Sequence, residues 1–352
     1  MGTLISLLVL SFLIFFHELG HFLVARFFGV KVEVFSIGFG KKLYTKVYNG
    51  TEYAISMIPL GGYVQMKGQD DSDPTKKSDD TDSYNVKKPW QRIFILLAGP
   101  FANFLLAFFL YIAVGYIGVN KFAPIIGQVS KDSPALLSGL KSLDKIISIN
   151  DIKIKTWDEL SKKIKTSQNA LKFEVLRGGK IISINVIPKI HTYKNMFGEV
   201  MQKKMVGISP EGKTITIKYG LLQSIPFALE ETKNATTMIV KSLQKLVEGV
   251  VPAKEMGGIV SIVQVTAKAS AIGIVALFGL TALISVNLGV LNLLPIPALD
   301  GGHIMFNLYE MITKKAPSEK VLYYLTLAGW IFLLSLMAFT IFNDIYRIAG
   351  GE

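Results

Sequence analysis

Long apolar runs dominate the chain. Met1 to Ala25 holds only His17, Glu18 and His21 as ionisable side chains, Ile93 to Val119 carries no charge, Ala269 to Leu299 carries none over 31 residues, and Val321 to Asn343 none over 23. About 20 helical residues cross a hydrocarbon layer ~30 Å thick, so each run predicts a transmembrane helix. Between the first two runs the period changes. Val32 to Ile37 alternates along the chain, and Tyr44 to Tyr48 and Glu52 to Ser56 flank Asn49-Gly50, which predicts a hairpin with a type I′ turn. Met57 to Val64 is apolar, glycine-rich and broken by Pro59, and it reads as irregular backbone dipping into a membrane cavity. Asp70 to Asp82 is polar and acidic and reads as a flexible loop.

After the second run the pattern becomes that of a small mixed domain. Ile125 to Val129, Lys145 to Ile149, Leu171 to Leu176 and Ile181 to Ile187 read as strands, the last two joined across Gly178-Gly179. Ser133-Pro134 and Thr156 each begin a helix, serine and threonine as N-caps and proline at the first helical position. The order of elements, and the string GQVSKDSPALLSGLKSLDKIISIN, resemble a PDZ domain of the kind attached to proteases; Leu143-Asp144 stands where such repeats usually show Gly-Asp. A peptide-binding groove and a plain spacer over the membrane part are both compatible with this region. Leu221 to Val247 has apolar residues at helical spacing and reads as an amphipathic helix on the outer membrane face.

Half of the residues are hydrophobic and 18% are charged, which excludes an ordinary soluble enzyme. There is no cysteine, so disulfides and thiolate metal sites are excluded as well. The first run lacks a basic leading segment and a small-residue cleavage site and reads as a retained helix. Arg26 to Arg92 holds eleven Lys or Arg against eight acids, and Lys314, Lys315 and Lys320 precede the last helix; these loops are expected on the cytoplasmic side, with both termini outside. Val119 to Lys268 carries 23 basic and 12 acidic residues, but long segments translocate largely regardless of charge. Its lysines are scattered without aromatic interleaving and read as a solvated domain surface, which does not favour nucleic acid as a partner and is compatible with an anionic membrane face; the lipid bilayer is the expected partner from the apolar runs.

The expected fold is therefore a polytopic α-helical membrane protein of about four transmembrane helices, with a membrane-associated β-hairpin and one extracytoplasmic PDZ-like α+β domain. Its segments are a first helix over 1–26, the hairpin and loop over 27–90, a second helix over 91–119, the PDZ-like domain over 120–190, and a strand region with the amphipathic helix over 191–268. A third helix over 269–303 is broken at Pro295 and Pro297, a cytoplasmic loop covers 304–320, and a fourth helix covers 321–346.

The sharpest chemical signal is His17-Glu18-Leu19-Gly20-His21. On a helix, positions i and i+4 share a face, so both imidazoles can reach one Zn²⁺ with Glu18 beside them as base for a bound water. Three ionisable residues within five positions, the first of them His17, nine residues and roughly 13 Å before the helix end at Arg26, are costly in a membrane unless they bind or pair. A catalytic zinc needs a third protein ligand and an open position. The candidates are His191, in the outer domain; His303; and Asp300, which ends the 31-residue uncharged run and is favoured by its depth. Pro295 and Pro297 force the helix before Asp300 to break. Asn287 and Asn292 either bridge helices or bond an extended substrate backbone.

These residues together resemble the bacterial site-2 proteases of the RseP-like type, which cleave an anti-sigma factor. The matching pieces are HELGH at His17 to His21, Pro59-Leu-Gly-Gly-Tyr63, Gly99-Pro-Phe-Ala-Asn103, and Asn292 with Pro295, Pro297 and Asp300-Gly301, in order over nearly the whole chain. The resemblance implies intramembrane proteolysis at a bacterial inner membrane. His17, His21 and Asp300 would be the zinc ligands and Glu18 the general base, with Gly61 and Gly62 of the hairpin and the Asn287, Asn292, Pro295 and Pro297 region holding substrate. It implies transmembrane protein substrates, among them anti-sigma-factor-like proteins and remnant signal peptides, after prior trimming of the ectodomain, and a PDZ part that filters substrates by size. Family members often carry two PDZ modules, and this chain has room for one. A catalytically silent membrane scaffold and a transporter are the rival readings; the inverted-repeat symmetry of many transporters is not found here.

Overall fold

Apolar along most of its length, the first run closes its own backbone hydrogen bonds as helix α1, Gly2–Phe27. It is followed by two long strands, β1 (Val32–Tyr48) and β2 (Thr51–Met66), and by α2, Pro89–Ile117. The next elements are β3 (Val119–Phe122), β4 (Ile126–Val129), α3 (Pro134–Leu137), β5 (Lys145–Ile149), β6 (Ile152–Lys153) and α4 (Trp157–Thr166). Then come β7 (Leu171–Arg177), β8 (Lys180–Val186), β9 (Lys189–Lys194), β10 (Val200–Met205), β11 (Ile208–Pro210) and β12 (Thr214–Ile217). Helices α5 (Leu221–Val247), α6 (Ile259–Ile272), α7 (Ile274–Asn292), α8 (Asp300–Thr313) and α9 (Glu319–Ile348) complete the chain. The computed structural model describes residues 1–69, 78–195 and 199–350, so most of the loop expected over Asp70 to Asp82 lies outside the described residues. Of the described helices, α1, α2, α7 and α9 are long and apolar enough to cross a membrane. The chain divides into two compact units, Met1–Val114 with Leu221–Glu352, and Gly115–Gly220.

In the first unit the hairpin turn is as expected, with Asn49 and Gly50 both at positive φ (49° and 75°). The strands are longer than expected, and they curl. Residues Val34 to Ile37 pair on one side with Glu52 to Ile55 and on the other with Gly62 to Gln65, while Tyr44 to Tyr48 pair with Thr51 to Ile55. Two strands thus make a sheet of four segments, and Met57 to Val64, expected as irregular backbone, belongs to β2. A two-residue period with shifts in register hid this pairing from a local reading. Phe22 and Ala25 of α1, Val32 and Phe35 of β1, Met66 of β2 and Ile95 of α2 form the core beneath the sheet.

The third apolar run departs from expectation. Its pattern predicts one helix over 269–303; instead Gly273, at φ +140°, separates α6 from α7, and α7 ends at Asn292. Pro295 and Pro297 lack the amide that would continue a helix. The break is stitched by short turns, Ile296 N–H to Leu294 O at 2.7 Å and Leu299 N–H to Ile296 O at 2.8 Å. Asp300 therefore opens α8 where it was expected near the close of a helix. Gly301 and Gly302 let α8 lie directly on the backbone of Leu293, Leu294, Ile296 and Pro297, where any Cβ would overlap. Helix α5 also differs. Ala228, Ala235 and Ile239 pack with Ala107 and Tyr111 of α2 and Ala282, Val286 and Val290 of α7, so protein covers a stripe expected to face lipid.

The second unit contains the expected strands and both caps: Ser133 Oγ accepts from Leu136 N at 3.2 Å and Thr156 Oγ1 from Glu159 N at 3.3 Å. Its antiparallel sheet runs β6-β5-β7-β8, over a core that includes Ile126, Leu140, Ile146, Leu160, Phe173 and Val186. The unit extends past the expected boundary at residue 190, because β11 returns to pair with β4, and β12 with β3. Leu143 sits at φ +64°, the left-handed conformation in which glycine is unstrained. It directs Asp144, 0% exposed, to accept from Arg177 Nε and Nη2, both at 2.7 Å, and from Lys141 N at 2.8 Å. Losing these charge-assisted hydrogen bonds, one of them to a backbone amide, costs about 2 kcal/mol. Asp144→Ala is therefore expected to lower the stability of this unit by about that amount, read as an earlier unfolding transition by circular dichroism.

Candidate metal centre

Helix α1 carries His17 and His21 one turn apart, and the fold brings Asp300, from the first turn of α8, to face them. His17 Nε2 lies 3.2 Å from His21 Nε2 and 3.2 Å from Asp300 Oδ2, and His21 Nε2 lies 3.4 Å from the same oxygen. Asp300 Oδ2 is buried and has no hydrogen-bond partner. Two imidazole nitrogens and one carboxylate oxygen thus crowd together within 3.4 Å. Bonds of about 2.0–2.1 Å from one tetrahedral centre put its ligands roughly 3.3–3.4 Å apart, so the three atoms outline one face of a Zn²⁺ coordination sphere with a fourth position open. The donor set, two imidazoles and a carboxylate, fits a catalytic zinc.

Helix α2 prepares the imidazoles. His21 Nδ1–H donates to the Ile95 carbonyl at 2.8 Å, which leaves Nε2 with its lone pair free. His17 Nδ1 meets the side-chain amide of Asn103 at 3.2 Å, and Asn103 is wholly buried with its Oδ1 unpartnered. A half-turn of that amide sets Oδ1 against His17 Nδ1–H, which satisfies the orphan and fixes the metal-binding tautomer. Asn103 is itself held by α7, since its carbonyl accepts from Ser285 Oγ at 2.8 Å. Gly99 leaves room for both rings: a Cβ there would overlap His21 Nε2 and stand 2.8 Å from His17 Cε1. Gly20 sits against the Ala98 carbonyl in the same close crossing.

A cavity of about 90 Å³ opens on the three donor atoms, lined also by Glu18, Val64, Met66 and His303. Gly62 of β2 lies against this wall, where its Cβ would stand 3.6 Å from Glu18 Cγ and 2.7 Å from the Ser36 carbonyl. Gly61 is covered by the ring of Phe39. Several candidates lie elsewhere. His191 is on β9 of the other unit, its Nδ1 2.8 Å from the Thr192 carbonyl. His303 lines the cavity but is not among the three clustered donors. Asn287 is on α7, Asn292 ends it, and Pro295 and Pro297 lie in the break; none of the four lines the cavity. The sequence motif that included Gly99 and Asn103 gave neither residue a role. The available signal was that Asn103 is the single side-chain amide between Ile93 and Val119.

The profile of peptidase family M50 matches residues 5–336. The chain belongs to peptidase family M50. It is 50% identical over 347 residues, 99% of this chain and 94% of the relative, to a protein of Campylobacter jejuni named as a candidate zinc metalloprotease. A Helicobacter pylori protein so named is 40% identical, covering 98% of this chain and 99% of its own length. One of Clostridium acetobutylicum is 35% identical over 99% and 98%. The protein is a zinc metalloprotease with several helices able to span a membrane. Gly99→Ala is expected to abolish stoichiometric zinc in the purified metalloprotease while leaving helix content unchanged, read by elemental analysis beside far-ultraviolet circular dichroism.

Proposed function

We propose that this metalloprotease hydrolyses peptide bonds inside the transmembrane segments of single-span proteins, as a site-2-type intramembrane protease. His17, His21 and Asp300 hold the zinc and Glu18 is the general base. The observation that carries the reading is the position of the donor cluster: two of its members lie within α1, a 26-residue apolar helix, and the third follows the 31-residue uncharged run. Ionisable groups at such depth mark function.

When bound, zinc acidifies a coordinated water and polarises the scissile carbonyl. Glu18 accepts the water proton and returns it to the leaving amine. A substrate helix has its own backbone satisfied, so cleavage requires local unwinding and replacement partners. The segment Gly62 to Met66 is the outer segment of the curled sheet, paired with β1 on one side, and it adjoins Glu18. An unwound substrate adding to that edge as a strand would find those partners. Asn287, Asn292 and the Pro295–Pro297 turn, which lie outside the cavity, would steady the substrate further along.

The same proposal covers the setting. The basic loop between α1 and α2 faces the cytoplasm of a bacterium, and the unit Gly115–Gly220 is extracytoplasmic with both termini. A PDZ-like fold for that unit is supported by its order of strands and capped helices. Anti-sigma-factor-like proteins and remnant signal peptides, trimmed beforehand by another protease, are the proposed substrates. In reconstituted vesicles holding a tagged transmembrane peptide, product should form with zinc and vanish with chelator. Glu18→Gln should keep zinc but lose at least about 10²-fold in turnover. Full turnover by that variant would remove Glu18 from the role, and absence of product in every zinc-loaded sample would favour a silent scaffold.

A further inference from the structure

Helix α8 supplies Asp300, and its first turn rests through Gly301 and Gly302 on the backbone of the preceding break. Among the described residues, its side chains make polar links to other elements at two points. Asp300 meets the histidine pair of α1, and Glu310 Oε1 meets Arg92 Nη2 of α2 at 2.7 Å. Asp300 and Glu310 are ten residues apart, about 15 Å along a helix. Between α8 and the start of α2 lies a cavity of about 280 Å³, lined by Arg92, His303, Asn307, Glu310 and, from α9, Thr326. With open space there, close packing does not fix the far half of α8 on the side that faces α2.

The residue spacing on both helices is informative. Asp300, His303, Asn307 and Glu310 follow at intervals of three and four, and so do Arg92, Ile95, Gly99 and Asn103. Each set shares one face of its helix. On α2 the upper three positions shape the imidazoles: the Ile95 carbonyl and the Asn103 amide orient them and Gly99 gives them room. Arg92 is the fourth position of that face, and the Arg92 and Glu310 side chains are only 13% and 23% exposed. A partly buried, charge-assisted pair is stronger and more directional than a surface one.

We propose that Arg92 and Glu310 are positioning residues for the zinc site: the pair clamps the far end of α8 to the helix that orients His17 and His21, and so sets the third ligand against the first two. This rests on the reading of His17, His21 and Asp300 as the zinc ligands. The clamp is a lever, with the break at residues 293–299 as its pivot. Loss of the pair frees the far end of α8, and the resulting tilt turns the Asp300 carboxylate at its first turn, which weakens zinc binding before it alters the fold.

The test is zinc affinity of the full-length protein in detergent, by competition with a chromophoric chelator, together with the visible absorption of the Co²⁺-substituted protein. Arg92→Ala and Glu310→Ala should each weaken zinc at least tenfold and reduce the tetrahedral Co²⁺ bands, with unchanged helix content. The reversed pair R92E/E310R should return affinity to within about threefold of the unaltered protein. Unaltered zinc affinity in both single variants overturns the clamp, as does a folded reversed pair that stays as weak as the singles. Should the alanine variants fail to fold, Glu310→Gln, the same shape without the charge, decides: wild-type affinity overturns the proposal and tenfold loss supports it. His17→Ala is the control for the underlying reading. If it binds zinc as tightly as the unaltered protein, the ligand assignment fails and not the clamp.

Discussion

Two imidazole nitrogens and one carboxylate oxygen stand 3.2–3.4 Å apart in a pocket where little water screens them. Such a cluster is unfavourable by itself, and a divalent cation turns its mutual repulsion into attraction. Much of the surrounding architecture serves to make the cluster possible. The close crossing of α1 and α2 at Gly20 and Gly99 places backbone where side chains would otherwise stand. The Ile95 carbonyl and the Asn103 amide take the outward nitrogens, so that the inward ones carry lone pairs. These contacts orient the two imidazoles and keep the space beside them open, as groups just behind a metal site do.

A second constraint is that backbone polar groups need partners wherever water is scarce. The helices meet it internally. The β1–β2 sheet meets it by curling, so that one stretch of β1 is paired on both sides. The break between α7 and α8 meets it with short turns, and two glycines at the start of α8 let the helix cover them. Proline makes the break unavoidable, and the break frees Asp300 to head a new helix at an angle that a continuous one would forbid. The stretch Gly62 to Met66 is paired with β1 on one side and borders the cavity at the histidine pair through Val64 and Met66.

Much of this was legible in the chain itself. Uncharged runs named the four long apolar helices, because helix length and membrane thickness are both local quantities. Asn49-Gly50 named the turn, Ser133 and Thr156 named their caps, and the spacing of His17 and His21 named a shared face; each depends on residues within a few positions of one another. Motif and resemblance pointed to Asp300 as a third donor, and depth alone left His303 beside it as an alternative.

What the tertiary structure decided involves partners far apart in sequence. The second pairing of β1, the return of β11 and β12 to close the other unit, and the meeting of Asp300 with α1 all join segments that no local pattern connects. Gly273 and the Asn103 amide acquire meaning only from their surroundings: one relieves a turn between two helices, the other faces a ring nitrogen 86 positions away. A sequence records how much apolar surface a segment must bury and which donor atoms it offers. Which neighbour receives them is settled by packing the whole chain at once, since burial and hydrogen bonding are satisfied collectively and not residue by residue.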